Sequence, residues 1–340
     1  MSAVTDFTRW LSTDFLDANT GLEEAYFALG AEIANNDDLD QRKRVLRADG
    51  AALVTRIDGM PGDPYDLLGA VGLYLAACRR HEVNVPEAAQ AVAGRLGLAL
   101  GVAPRFVFAH LSTHNPAART FTHLPDEHTF ITCNGLAVLA YQRAAAALRR
   151  IPSVTKSLVA ALYDEAHTAL AAVLAANQAL ARTLDPDRFF RNIRPYFKPH
   201  PVCGTEYRGA NAGDFAAVNE IDLALGLCEV TDPFYQRILA EKYPYLPPED
   251  QPRLRTPPSN LRSLVERDPD HVEKYHAVRR AHGAAYAFHH HRLVMPFLAR
   301  PAESAPQDGL TASGPPLEVV LATLSRLVDL RTARDRGLRK

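Results

Sequence analysis

Apolar residues recur at spacings of three and four over long windows, at 67–80, 86–100, 128–150, 154–182, 216–228, 269–300 and 316–334. That period turns one face of a helix inward, whereas the alternation by two that marks a half-buried strand is scarce. Alanine and leucine, which lose little on entering a helix, fill these windows. The pattern predicts an all-α protein built as one large helical bundle. Helix starts are marked by Pro86, Ser153, Asp185-Pro186 and Asp268-Pro269, where a fixed φ or a short polar side chain suits the first turn. Glycine and proline cluster at 59–64, 195–213, 243–258 and 301–316, which predicts breaks there. The first sixty residues have a mixed pattern and predict a small N-terminal helical cap over 1–60, with the main helical domain over 61–340. No internal repeat is present. Loops as long as 195–213 and 301–316 in a compact domain commonly bind or cover a ligand.

Charge narrows the function classes. Lys and Arg number 38 against 39 Asp and Glu, a formal net charge of −1, which argues against a chain built to neutralise nucleic-acid phosphate. The four cysteines, Cys78, Cys133, Cys203 and Cys228, are widely spaced with no C-x-x-C pair, and read as reduced thiols of a cytoplasmic protein. Asp6 and Asp14 flank Trp10 where a signal peptide would need a positive head and an apolar core. The most apolar stretch, 169–181, is short and interrupted by Asn177 and Gln178, so no membrane span is expected.

Three segments carry candidate chemistry. The run YHAVRRAHGAAYAFHHHRLVMPFLAR ends a helical window with His289, His290 and His291, followed by Arg292. At helical spacing His291 shares a face with Ala287, Ala284 and Arg280, so a donor nitrogen stands over small side chains where a flat group could lie. Imidazole is the usual nitrogen ligand of haem iron, although a histidine triplet alone is more often solvated surface. FFRNIRPYF places Arg194 ahead of Pro195, with Phe189 and Phe190 a turn away. A guanidinium fork can grip a carboxylate through two hydrogen bonds; an arginine paired with a nearby acid fits the same segment. Gly209, Ala210, Asn211, Ala212 and Gly213 precede a predicted helix. Small residues let backbone approach a ligand, and N–H groups at a helix start suit an anion or a bound oxygen species, while a plain loop-to-helix joint needs the same residues.

Other patterns lead elsewhere. His110, His114, His123 and His128 are spread across Pro116 and Pro125, which fits pocket polarity or surface better than a second metal. Glu220 and Asp222 lie two apart on different helix faces, so they do not form a paired acid/base unit. No G-x-S-x-G or H-E-x-x-H motif occurs.

Taken in order, FFRNIRPYF, GANAGDFAAVNEIDLALGL, HHHRLVMPFL and TASGPPLEVVLATLSRL resemble the haem enzymes of the indoleamine 2,3-dioxygenase / tryptophan 2,3-dioxygenase superfamily. Within it they look closest to the monodechloroaminopyrrolnitrin synthase-like haem proteins, which also show segments like HNPAARTFTHLPDEH and IRPYFKPHPVCGTEYRG. The resemblance runs from Tyr65 or so to the C-terminus. It implies a helical bundle enclosing a haem pocket that holds haem b. His291 would be the proximal iron ligand, with His290 the second choice because the triplet leaves the register open by one. Arg194 would bind a substrate carboxylate, with Phe189 packed on it. Asn211, Ala212 and Gly213 would form a distal loop against the haem edge and substrate. Ser313 and Gly314 would close the site near the substrate amino group and a haem propionate. The helix over 126–150 would supply the distal ceiling through Phe130, Cys133 and Asn134.

The implied activity is a haem-dependent oxidation of an L-amino acid, tryptophan or a modified tryptophan, with O2 or peroxide. Its outcome would be ring rearrangement or oxygen insertion in specialised metabolite biosynthesis. Three departures keep other readings open. TASGPP is poorer in Gly and Thr than the dioxygenase loop, Ala299 falls where the pyrrolnitrin enzymes carry a tyrosine, and Asp214 replaces an uncharged residue. An oxygenase of another amino acid, hydroxylating tyrosine or N-oxygenating a side-chain amine, would use Asp214 to hold a cation. A helical haem or gas sensor without turnover is the rival from another class. A homodimer would pack the first sixty residues on a second copy.

Overall fold

Helices form where the apolar period predicts them, and one tight hairpin is the only β structure among the described residues. The protein is seen here as a computed structural model that describes residues 3–296 and 317–333. Its chain divides into two compact units, 3–132 with Leu184–Asp214, and Cys133–Thr183 with 215–296 and 317–333.

The first unit contains α1 (Ala3–Leu11), α2 (Asp14–Ala28), α3 (Asp37–Ile57), α4 (Pro64–Arg80), α5 (Glu87–Leu100) and the start of α6 (Pro125–Arg150). The first sixty residues are thus three helices. Asn36 caps α3 by accepting from the Leu39 N–H at 2.9 Å, and Asp63 caps α4 by accepting from Tyr65 N–H at 2.9 Å; each cap satisfies a donor that the helix itself leaves open. α4 is buried on nearly every side, from Tyr65 to Cys78. A Cβ on Gly72 would lie 2.1 Å from the Phe106 nitrogen, so glycine is what lets the 105–106 backbone cross α4. Trp10 meets Tyr74 edge-on at 5.9 Å, and the Tyr74 hydroxyl donates to the Arg47 carbonyl at 2.6 Å, which ties α1 and α3 to α4.

After α8 (Pro186–Arg188) the unit has a π turn over Phe189–Ile193 and a 3₁₀ turn over Arg194–Phe197. β1 (His200–Val202) and β2 (Thr205–Tyr207) then pair antiparallel. Cys203 (φ 50°) and Gly204 (φ 79°) make the two-residue turn between them, a pairing of left-handed residues that matches strand twist. The loop expected over 195–213 therefore contains local structure.

The second unit packs the rest of α6 with α7 (Lys156–Thr183), α9 (Ala217–Ala224), α10 (Pro233–Lys242), α11 (Gln251–Arg255), α12 (Leu261–Arg267), α13 (Val272–His289) and α14 (Leu317–Thr332). Its core joins Tyr141, Leu148, Leu162, Leu170, Ile221, Tyr275 and Val278; burying each such side chain contributes about 1.5–3 kcal/mol. A smaller core holds Leu223, Tyr235, Leu239, Leu246, Leu254 and Leu327. α7 is long and apolar enough to cross a membrane by length and composition. It lies along α13, burying Leu162, Ala166, Leu170 and Val173, and Asp164, His167 and Arg182 are exposed on its other side.

The windows at 67–80, 86–100, 128–150 and 154–182 match α4 to α7 closely. The window at 216–228 stops early, because Gly226 takes φ 59° and turns the chain. The window at 269–300 opens with a 3₁₀ turn at Pro269–His271, runs as α13, and widens into a second π turn over His290–Val294. The stretch 243–258, expected as a loop, includes a 3₁₀ turn and α11.

Candidate functional site

In the first unit the π turn Phe189–Ile193 delivers Arg194. Its guanidinium is half-buried and lies 4.5 Å from the Phe190 ring centroid. No hydrogen bond or ion pair satisfies it among the described residues. Burial pushes its pKa down, and the more distant Glu32 works against that shift. The structural-arginine alternative, a direct pair with an acid, therefore finds no such acid among the described residues. Phe190 supplies the ring facing Arg194, where Phe189 was expected; Phe189 is buried and packs on Phe130 at 4.6 Å. Phe130 also meets Phe108 and Phe197, each at 5.7 Å, so these rings form an aromatic wall.

The small-residue loop is closed by an ion pair. Arg208 grips Asp214 with two nitrogens at 2.8 and 2.9 Å, and Asp214 also accepts from the Asn211 N–H at 3.2 Å. Asn211 Oδ1 accepts from Gly213 N–H at 2.8 Å, and Asp214 N–H donates to the Asn211 carbonyl at 2.9 Å. The N–H groups of Asn211, Gly213 and Asp214 are thus used inside the loop, and α9 starts only at Ala217. This corrects the expectation of N–H groups at a helix start ready for an anion. The buried Asp214 carboxylate is likewise committed to Arg208, which removes the cation-holding role that its sequence position suggested. Asn211 is exposed and Ala212 and Gly213 are half-buried, so the loop still offers a surface.

His110 is buried; its Nδ1 accepts from Val107 N–H at 3.0 Å, its Nε2 has no partner, and burial holds its pKa down at about 3. His114 bonds Thr113 at 3.0 Å, His123 meets Asp17 at 3.1 Å, and His128 is exposed. Among the described residues no three His, Cys, Asp or Glu side chains gather as a metal site. Glu127 is also buried and accepts from Phe121 N–H, Thr122 N–H and the Thr122 hydroxyl at 2.7, 2.7 and 2.6 Å.

In the second unit the open face of α13 carries Arg280 and Ala284, both exposed, with Ala287 half-buried, and His291 is exposed in the π turn that follows. The buried side carries Tyr275, Val278, His282 and Ala285. His290 is 4% exposed and its Nδ1 has no partner; its ring meets that of His291 at 4.9 Å. Both π turns among the described residues thus coincide with a candidate residue: one delivers Arg194 and the other contains His291. Such turns recur at functional sites because they re-aim side chains without ending the helix. On α6, Cys133 is half-buried, with its thiol pKa raised by burial, and Asn134 is buried. Leu136 and Leu139 present an apolar face, 56% and 52% exposed, that sequence reading did not single out. Ser313 and Gly314 lie outside the described residues.

Sequence reading also missed a buried polar network. Asp222 accepts from Arg331 at 2.9 and 2.6 Å, from His282 Nε2 at 2.8 Å and from the Tyr235 hydroxyl at 2.7 Å. Since Nε2 donates to a carboxylate, His282 is the Nε2–H tautomer, and its Nδ1 is buried without a partner. Burial opposes ionisation of Asp222, yet Arg331 and His282 outweigh it and hold the carboxyl well below its usual range.

With this geometry in view, one comparison with known proteins bears on the chain. The family model for monodechloroaminopyrrolnitrin synthase PrnB matches residues 1–339.

Proposed function

Because this chain belongs to the monodechloroaminopyrrolnitrin synthase PrnB family, within the haem-dependent tryptophan/indoleamine dioxygenase-like superfamily, we propose that it oxidises L-tryptophan or a modified tryptophan bound by its carboxylate to Arg194. The chain is a haem-dependent oxidoreductase of a tryptophan-modifying, pyrrolnitrin-type biosynthetic class. The observation that carries the proposal is the half-buried Arg194 guanidinium with no acid partner among the described residues. A cation taken partly out of water is costly unless an anion meets it, and a substrate carboxylate answers that need with two hydrogen bonds.

The exposure of His291 supports reading it as a porphyrin's ligand. An iron ligand has to present its nitrogen to open space beside a surface that a flat ring can approach. His291 is exposed in the π turn that follows α13, whereas His290 is covered. This supports His291 as the ligand and keeps His290 second. Haem b, when bound, would supply the oxidising chemistry with O2 or peroxide. The protein's share is binding and orientation. Arg194 would fix the amino-acid end, and Phe130 and Phe189 would give an aromatic wall for the side chain. The Asn211–Gly213 loop of the same unit would line the rest. A rigid anchor at the carboxylate limits where the indole can lie, and such positioning is a large part of catalysis by a cofactor enzyme. The test is a titration of the haem-loaded protein with L-tryptophan, L-tyrosine and L-lysine, read at the haem absorption band. A response to tryptophan is expected, and a response to lysine alone would reject the indole reading.

A further inference from the structure

We propose that the buried Glu23–Arg80 pair, acting through Asn192, aims Arg194, so that a pair on the second and fourth helices positions the carboxylate anchor. This rests on the reading of Arg194 given above. Asn192 stands two residues before Arg194, inside the π turn. A π turn inserts one extra residue into a helix, and one residue rotates everything after it by about 100° around the axis. Whether this turn is π or α therefore decides which way Arg194 points.

Three hydrogen bonds pin the turn. The Asn192 side-chain nitrogen donates to the Glu23 carbonyl at 2.9 Å and to Glu23 Oε2 at 2.9 Å. Arg80 Nη2 donates to the carbonyl of Arg191 at 3.2 Å. Glu23 and Arg80 hold each other in a two-pronged pair, Nε to Oε1 at 2.7 Å and Nη2 to Oε2 at 2.8 Å. Glu23 and Asn192 are 0% exposed and Arg80 is 5%. A buried ion pair of this kind is a poor way to gain stability, because apolar replacements often do as well. Its planar, directional geometry is a good way to fix a backbone register. Glu23, Arg80 and Asn192 are thus positioning residues that act through Arg194.

The test uses the full-length, haem-loaded chain and measures binding of L-tryptophan and of tryptamine, which lacks the carboxylate, by equilibrium calorimetry. Asn192→Ala should weaken tryptophan by about tenfold, since small misplacements of an anchor have large effects, and leave tryptamine nearly unchanged. In an Arg194→Ala background the same substitution should have little further effect on tryptophan, the mark of two residues acting as one unit. Equal losses for both ligands, or a full second loss in the Arg194→Ala background, would overturn the inference. Glu23→Gln keeps an oxygen for Asn192 while removing the charge. It should show the same selective loss if Asn192→Ala does not fold, and a uniform loss would count against the inference. If Arg194→Ala leaves tryptophan binding intact, the carboxylate reading itself fails. If Arg194→Ala weakens tryptophan and Asn192→Ala does not, only the positioning role falls.

Discussion

Arg331 on α14 meets Asp222 on α9 through two nitrogens, at 2.9 and 2.6 Å, with both side chains out of contact with water. The pair fastens the last described helix to the second unit's core, and Tyr235 and His282 complete the carboxylate's hydrogen bonds. Removing one partner leaves a buried charge uncompensated. Arg331→Ala should therefore destabilise the protein by roughly 3–5 kcal/mol, measured by urea unfolding. Because the Asp222 carboxyl titrates lower in the folded chain than in the unfolded one, its stabilisation is full at neutral pH and is lost as the solution becomes acidic. A loss under about 1 kcal/mol, the size of a surface pair, would show that the contact does not hold in solution.

Glu127 behaves in the opposite sense. Burial raises its pKa from 4.5 to about 7, and the bonds from Phe121 and Thr122 only partly offset that. The folded chain then binds more protons than the unfolded one between those two values, so Glu127 takes stability away as pH rises through that window. Glu127→Gln should flatten this part of the stability–pH curve, while lowering stability overall because an amide N–H₂ would face donors. Unfolding curves at several pH values compare the slopes; identical slopes in both proteins would contradict the assignment.

Arg194→Ala should leave haem uptake intact and weaken tryptophan binding by roughly 2–5 kcal/mol, the range for removing one member of a desolvated, hydrogen-bonded charge pair. Equilibrium binding of tryptophan to the haem-loaded variant measures it. Unchanged affinity would remove Arg194 from the site.

Asp214→Asn separates two uses of an acid. The carboxylate closes the 208–214 loop through Arg208, so its loss should loosen that loop and raise its amide hydrogen exchange. It should not abolish binding of a cationic amino acid, because the carboxylate is already paired with Arg208. Loss of lysine binding specific to this variant would restore the cation-holding reading.

Much of the helical frame was legible, since the three-and-four period is printed in the sequence and α4 to α7 follow it closely. The open face of α13 was legible for the same reason: Arg280, Ala284 and Ala287 are a helical spacing apart. The π turns were not, because a single inserted residue leaves no signature in the pattern; the ring over Arg194 is that of Phe190, four residues before it, and not that of Phe189, which the resemblance implies. Glu23, Arg80 and Asn192, or Asp222, His282 and Arg331, are far apart in sequence and joined only by the fold. No local spacing could have paired them. The loop before α9 was legible as small and close-turning, but not as one that uses up its own N–H groups.

The most direct measurement of the central claim is the haem absorption spectrum of purified His291→Ala beside that of His290→Ala. With His291 as the iron ligand, His291→Ala loses the normal haem band and His290→Ala keeps it. An unchanged spectrum and full haem content in His291→Ala would contradict the assignment.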